Sequence, residues 1–177
     1  MKPTPLTHSL FDSTLFKKTI TVERNEFLKT GKTTDTNVYF IEKGSLRVFV
    51  LDGEEERIVR FGYPGNMIVA LDSFLTDQPS DFFIQAIKKS TLRMARKADV
   101  EKFIYANETN LNWWNAVLED LVLQQMEREK DLLTNSPAER YKRVLKRSPQ
   151  LFQQIPKKHI ANYLRMTPET LSRVKKS

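Results

Sequence analysis

The residues best suited to chemistry lie at the end of the chain. Residues 136–177 hold 11 Lys/Arg against 2 Asp/Glu, whereas residues 1–135 hold 18 against 20, so the net charge of +7 belongs to the last quarter. A local excess of this kind is the electrostatic footprint of a polyanion partner, and nucleic acid is the commonest one. Within it, Thr167-Pro168-Glu169 supplies an N-cap, a proline and an acid in the order that opens a helix, predicted over Pro168–Lys176. Its outward positions carry Glu169, Thr170, Ser172, Arg173, Lys175 and Lys176. In a DNA major groove Arg pairs bidentately with guanine, Glu accepts from cytosine N4, and hydroxyls serve base or phosphate. Lys157 and Lys158 fall in the first turn of a helix opened by Pro156, where a cation opposes the macrodipole; a DNA phosphate explains them where helix stability does not. Singly, each has a bland explanation, since Glu favours a helix N-terminus anyway and lysines can be merely solvated. The combination points to DNA.

Other chemistries are poorly supplied. His8 and His159 lie in different segments without triad or metal spacing, so each is expected to be a surface or capping residue. Without cysteine there is no disulfide, thiolate metal site or thiol nucleophile. The five glycines sit at or near turn signals, not in a phosphate loop. No catalytic residue, metal site or cofactor is expected, and the chain does not read as an enzyme.

Certain elements must position the basic end. The Pro156 and Pro168 helices are separated by little more than Arg165 and Met166, with Ile160, Leu164, Leu171 and Val174 facing inward and the small Ala161 at the close approach. This is the spacing of a helix-turn-helix. Ser136-Pro137 opens a further helix over Pro137–Lys146. Upstream, Leu111, Trp114, Leu118, Leu121, Gln125, Arg128 and Leu132 step alternately by three and four, a coiled-coil rhythm, beside a second stripe at Trp113, Val117, Leu123 and Met126. A helix apolar on two faces must bury both. That predicts a parallel two-fold dimer, with a buried helix inside a monomer as the alternative.

Residues 19–92 instead show short, partly alternating runs, among them Val38, Phe40, Leu46, Val48, Val50, Ile58, Val59 and Phe61. Turn signals separate them at Glu42-Lys43-Gly44-Ser45, Leu51-Asp52-Gly53-Glu54 and Tyr63-Pro64-Gly65-Asn66, and Asp-Gly predicts a hairpin between Arg47–Leu51 and Glu56–Phe61. An antiparallel barrel or sandwich is expected. The divisions are 1–97 for a β domain, 98–135 for a dimerisation region and 136–177 for the DNA-binding domain, an α+β chain. The longest uncharged run, Phe61–Leu71, falls far short of the roughly 18 apolar residues of a spanning helix. With no secretory leader pattern, a cytoplasmic protein is expected, and the sequon at Asn107 is read as a chance match.

The string from Ile155 to Arg173, IPKKHIANYLRMTPETLSR, resembles the helix-turn-helix of the Crp/Fnr transcription regulators, and Val38–Val48, VYFIEKGSLRV, resembles that family's cyclic-nucleotide-binding jelly roll. The likeness runs in the family's order over nearly the whole chain. It implies a sensor roll, a long dimerisation helix and a DNA reader, with the family's groove-reading Glu and Arg on Glu169 and Arg173. It also implies double-stranded DNA, a second copy of the chain and RNA polymerase as partners, and a small-molecule effector of unknown identity. An effector pocket would fall on Ile68, Val69, Ala70, Leu71, Ser80, Asp81, Phe82 and Phe83. Here the sequence departs from the family. The Gly-Glu pair that binds the nucleotide falls on Val69-Ala70 and the Arg-Ser pair on Ser80-Asp81, which removes both acceptor and cation. Each lost charge-assisted bond is worth roughly 1.5–3 kcal/mol. A usual turn glycine is Arg165, and the β wing found in most of the family is expected to be missing after Ser177. Three functions stay open: a homodimeric DNA-binding regulator without cyclic-nucleotide binding, a sensor acting through a protein partner, and a cyclic-nucleotide receptor with a rearranged pocket.

Overall fold

Alternating apolar residues and an Asp-Gly turn give the first half its sheet. The computed structural model describes residues 15–176, so His8 and Ser177 lie outside the described residues. Strands β1 (Lys18–Val22), β2 (Phe27–Lys29), β3 (Val38–Asp52), β4 (Glu55–Gly62), β5 (Met67–Ile68) and β6 (Phe83–Ala95) form one antiparallel sheet. Its path is β1-β6-β3-β4, with β2 added to β6 and β5 to β3. The architecture is an open jelly roll followed by helices, the expected α+β class.

The expected hairpin is present, with Arg47 opposite Phe61 and Leu51 opposite Glu56. Gly53, at φ +63, gives the tight turn its positive φ. The expected turn at Glu42–Ser45 is instead an irregularity inside β3, where the register against β6 shifts repeatedly between Ile41 and Leu46. Gly44 stands there at φ +91, and a Cβ on it would lie 2.2 Å from the Ser90 hydroxyl, so a side chain has no room. Ile41, Leu46, Ile84 and Leu92 are wholly buried in the roll's core, each contributing about 1.5–3 kcal/mol of apolar burial.

Two short helices have no counterpart in the sequence expectation. One is α1 (Leu71–Thr76), which starts at Ala70 without a side-chain cap. The other is α5 (Pro149–Gln154), opened by Pro149. Between them, α2 (Lys97–Ile104) ends before Asn107, whose Oδ1 accepts from the Asn110 N–H at 2.9 Å and restarts the chain as α3 (Glu108–Leu133), 26 residues long. The basic end folds as α4 (Pro137–Arg147), α6 (Lys157–Tyr163) and α7 (Pro168–Val174). Ser136 caps α4 as expected, its side chain accepting from Glu139 N–H, whereas the N-cap of α6 is Pro156 itself. The chain divides into two compact units between Trp113 and Trp114. No described helix is long and apolar enough to cross a membrane.

Candidate nucleic-acid interface

Helix α7 starts where its sequence says it should. The Thr167 side chain accepts from the Thr170 N–H at 3.2 Å, with Pro168 in the first turn. Leu171 turns inward and is buried with Ile160, Ala161 and Leu164 of the preceding helix and turn. That leaves Glu169, Ser172, Arg173, Lys175 and Lys176 exposed, together with Lys157 and Lys158 at the start of α6, and Thr170 half-buried. Lys157, Ser172, Lys175 and Lys176 gather with Pro168 and Leu171 around a groove of about 250 Å³. Glu169 and Arg173 lie outside that groove, four residues apart on the exposed stripe of α7. Hydrogen bonds from its own backbone N–H and the Thr167 hydroxyl hold the Glu169 carboxyl below its ordinary pKa, so it stands as an ionised acceptor. Acceptor, guanidinium, hydroxyl and ammonium groups are thus presented on one helix end, the set that base edges and phosphates require.

The turn feeding α7 has the geometry of a Schellman motif: Met166 N–H donates to Ala161 C=O at 3.0 Å and Arg165 N–H to Asn162 C=O at 2.9 Å. Arg165 occupies the left-handed position at φ +54, so the turn keeps its form without glycine at a cost of about 1–2 kcal/mol. Two arginines for which the sequence suggests no role in this turn act here. Arg140 donates to the carbonyls of Leu164 at 2.6 Å, Arg165 at 3.2 Å and Thr134 at 2.5 Å. Arg128, expected on the dimer seam, is instead buried with its guanidinium 3.7 Å from the Tyr163 ring centre, and its Nη2 donates to the Tyr163 carbonyl at 2.6 Å. Local spacing gives no sign of such long-range bonds; the one hint is an arginine at an apolar heptad position.

Along α3 the remaining seam residues are less covered. Trp114, Leu118 and Leu121 are half-buried, and Leu111, Gln125 and Leu132 are exposed. Val122, Leu123 and Met126 are at least half exposed, a row of apolar side chains facing solvent in the single chain.

The expected effector residues differ in burial. Ile68 belongs to the roll's core and Phe82 packs against it. The Phe83 ring is stacked on Phe49 at 5.1 Å. Val69 and Leu71 are half-buried, Ala70 and Ser80 are buried, and Asp81 is exposed. The Ser80 hydroxyl accepts from the Phe82 N–H at 3.1 Å. A cation does lie beneath this loop: Lys29, 4 % exposed, donates through Nζ to the carbonyls of Thr30 at 2.9 Å, Ser80 at 3.0 Å and Phe82 at 2.8 Å. Those three bonds use all three ammonium protons. Burial lowers its pKa, against the opposing charges of Asp72, Asp35 and Asp81. Among the described residues no group of acidic, histidine or cysteine side chains could hold a metal ion.

No curated protein matches the chain in sequence. Solved structures match it in fold. FixK2 from Bradyrhizobium japonicum is 18 % identical at TM-score 0.74, over 90 % of this chain and 82 % of its own. A CooA variant from Carboxydothermus hydrogenoformans is 16 % identical at TM-score 0.75, over 99 % and 83 %. The catabolite activator protein of Thermus thermophilus is 20 % identical at TM-score 0.58, over 98 % and 82 %. The family model of the cyclic nucleotide-binding domain matches residues 19–107, half of the sequence and nearly all of the roll. With that model matched over half of its length, the chain belongs to the cyclic nucleotide-binding domain family.

Proposed function

We propose that the protein is a homodimeric, DNA-binding transcription regulator of the Crp/Fnr type whose roll no longer binds a cyclic nucleotide. The observation that carries this reading is α7: a capped helix with its apolar side buried and Glu169, Ser172, Arg173, Lys175 and Lys176 exposed beside Lys157. Arg173 and Glu169 read bases, while Lys157, Lys158 and Lys175 hold phosphates. The partly exposed apolar row of α3 supports a second copy as the partner along that helix, and two α7 helices related by two-fold symmetry read a pseudo-palindrome with half-sites roughly 10 bp apart. RNA polymerase is the further partner of such a regulator.

Loss of nucleotide binding is supported by the cassette itself. Val69-Ala70 and Ser80-Asp81 offer no cation to a phosphate, Asp81 repels one, and the Lys29 ammonium is saturated by backbone carbonyls. The match to the family model favours a second reading, a cyclic-nucleotide receptor with a rearranged pocket.

Selection of bound sequences from a random duplex library, begun at low salt, tests the first reading. A palindromic consensus is expected. Absence of any preference over random DNA, with or without cell extract as a source of effector, hands the function to a protein partner. Calorimetry with cyclic AMP is expected to give no heat of binding, and micromolar affinity would install the receptor reading instead.

A further inference from the structure

We infer that Arg140 and Arg128 are positioning residues for base reading: two buried guanidinium groups hold the successive carbonyls of Tyr163, Leu164 and Arg165 and so set the direction in which α7 leaves the turn. The inference rests on the DNA-binding reading above. The last carbonyls of a helix have no partner within it, and here the end of α6 runs straight into a left-handed residue that is not glycine. Three consecutive acceptors at that point are each met by an arginine from outside the motif, Tyr163 by Arg128 of α3 and the other two by Arg140 of α4. Arg140 also bonds the Thr134 carbonyl just before α4, so one side chain ties the α3–α4 junction to the reading turn.

Both arginines are 7 % exposed, which keeps them from any phosphate. Arg128 is buried with its Nη1 lacking a hydrogen-bond partner, a poor choice if stability were the only requirement, because an apolar residue would fill the space without an orphaned donor. Its bond to the Tyr163 carbonyl is what an apolar residue could not supply. Without the two clamps the chain would still form α6 and α7, because Ile160, Leu164 and Leu171 bury the motif's core. The turn would then lose the restraint that keeps Arg165 left-handed, and the outward stripe of α7 would sample several angles. Base contacts tolerate such misalignment poorly and phosphate contacts tolerate it well.

The test compares binding of the full-length protein to its selected duplex and to a random duplex over a salt series. Arg140→Gln is expected to lower the preference for the selected duplex by about tenfold, while affinity for random DNA and the salt slope stay unchanged, since no phosphate contact is lost. Arg165→Gly in the same background is expected to restore most of that preference, because glycine adopts the left-handed turn unaided. A purely structural role for Arg140 would not respond to Arg165→Gly. Full preference in Arg140→Gln, or a salt slope lowered by about one, would overturn the inference. If Arg140→Gln does not fold, Arg140→Lys, which can bridge fewer carbonyls, is judged by the same outcomes. If the wild type itself prefers no duplex, the DNA reading is what fails. The positioning role is then read from amide exchange at residues 165–171, where acceleration by Arg140→Gln and reversal by Arg165→Gly support it and unchanged exchange refutes it.

Discussion

The cassette loop of the roll and α7, the proposed reading helix, depart from the pattern of the family they resemble to very different degrees. In the cassette, the positions that the family resemblance assigns to nucleotide contact carry Val69, Ala70, Ser80 and Asp81, yet β3 and β6 pair along most of their length and Ile41, Leu46, Ile84 and Leu92 fill the core. In the reading head, Glu169 and Arg173 remain on the exposed side, and the departure, Arg165, sits in the turn and is accommodated there at φ +54. A sheet is held by its hydrogen-bond ladder and apolar core, neither of which asks anything of a few ligand-binding charges. A roll can therefore keep its architecture when the residues at its cassette positions change. A helix that reads bases, as proposed for α7, has no such separation, because its exposed side chains would make the contacts and its turn would set their angle.

The contrast breaks most severely if the second reading head of the proposed dimer is removed. Leu118→Glu combined with Leu121→Glu takes two apolar side chains from the α3 seam, about 1.5–3 kcal/mol each, and sets like charges against each other across a two-fold axis. Sedimentation is expected to show a monomer, with loss of selected-duplex binding and an intact roll. A native monomer at micromolar concentration would refute the dimer itself.

The next effect sharpens the division within the head. Arg173→Ala is expected to cost about 1–3 kcal/mol and relax preference at one position per half-site, while Lys158→Ala weakens all duplexes alike and lowers the salt slope by about one. Equal loss of preference in both variants would show that α7 does not read bases.

On the cassette side, Lys29→Met is expected to cost about 1 kcal/mol net. Thr30 and Ser80 keep other donors, the Thr33 hydroxyl and the Lys32 N–H, so the Phe82 carbonyl is the acceptor most exposed to the loss, while relief from burying an ammonium offsets part of it. The sign with pH follows from its lowered pKa. The folded state releases this proton before the unfolded one does, so the wild type gains stability as pH rises toward 10.5 and levels off there, a gain that Lys29→Met lacks. Melting temperatures of the two proteins across that alkaline window decide it. Equal slopes would mean that the ammonium is not held as the structure places it.

What could be read from the sequence divides along the range of the interaction. The Asp52-Gly53 hairpin, the Ser136 and Thr167 caps and the two-helix spacing are local, and each is where its residues place it. Gly44 misleads because a positive-φ glycine serves a turn or a bulge equally well, and only the register against Ser90 on β6 tells which. Helix α1 is invisible because six residues without a capping side chain leave no periodic signal. The charge count overstates the outward field: three of the eleven basic residues after Ser136 turn inward, Arg140 to carbonyls and Arg143 and Arg147 to carboxylates of α3. Partners 16 residues apart, as Arg147 and Asp131 are, carry no pattern that a window along the chain can show.

Those inward arginines lead to the smallest effect. Asp131 is fully buried and receives Arg143 at 3.1 Å and Arg147 at 2.5 Å, whereas Glu127, one turn earlier on α3, meets Lys130 at 2.8 Å and Arg143 at 3.0 Å at the surface. A hydrogen bond from Lys130, and then the charges of Lys130, Arg143 and Arg147, hold the Glu127 carboxyl below its ordinary value of 4.5. A depressed carboxylate contributes its stability above that value and loses it as pH falls through the folded pKa. Solvent and salt screen an exposed pair, so little is at stake. Glu127→Gln is therefore expected to lower the melting temperature only slightly at neutral pH and low salt, with the difference vanishing in acid or at high salt and duplex preference untouched. A large loss of preference in this variant would place the hold on the reading head in its surface charges and not in the buried contacts of Arg128, Arg140 and Asp131.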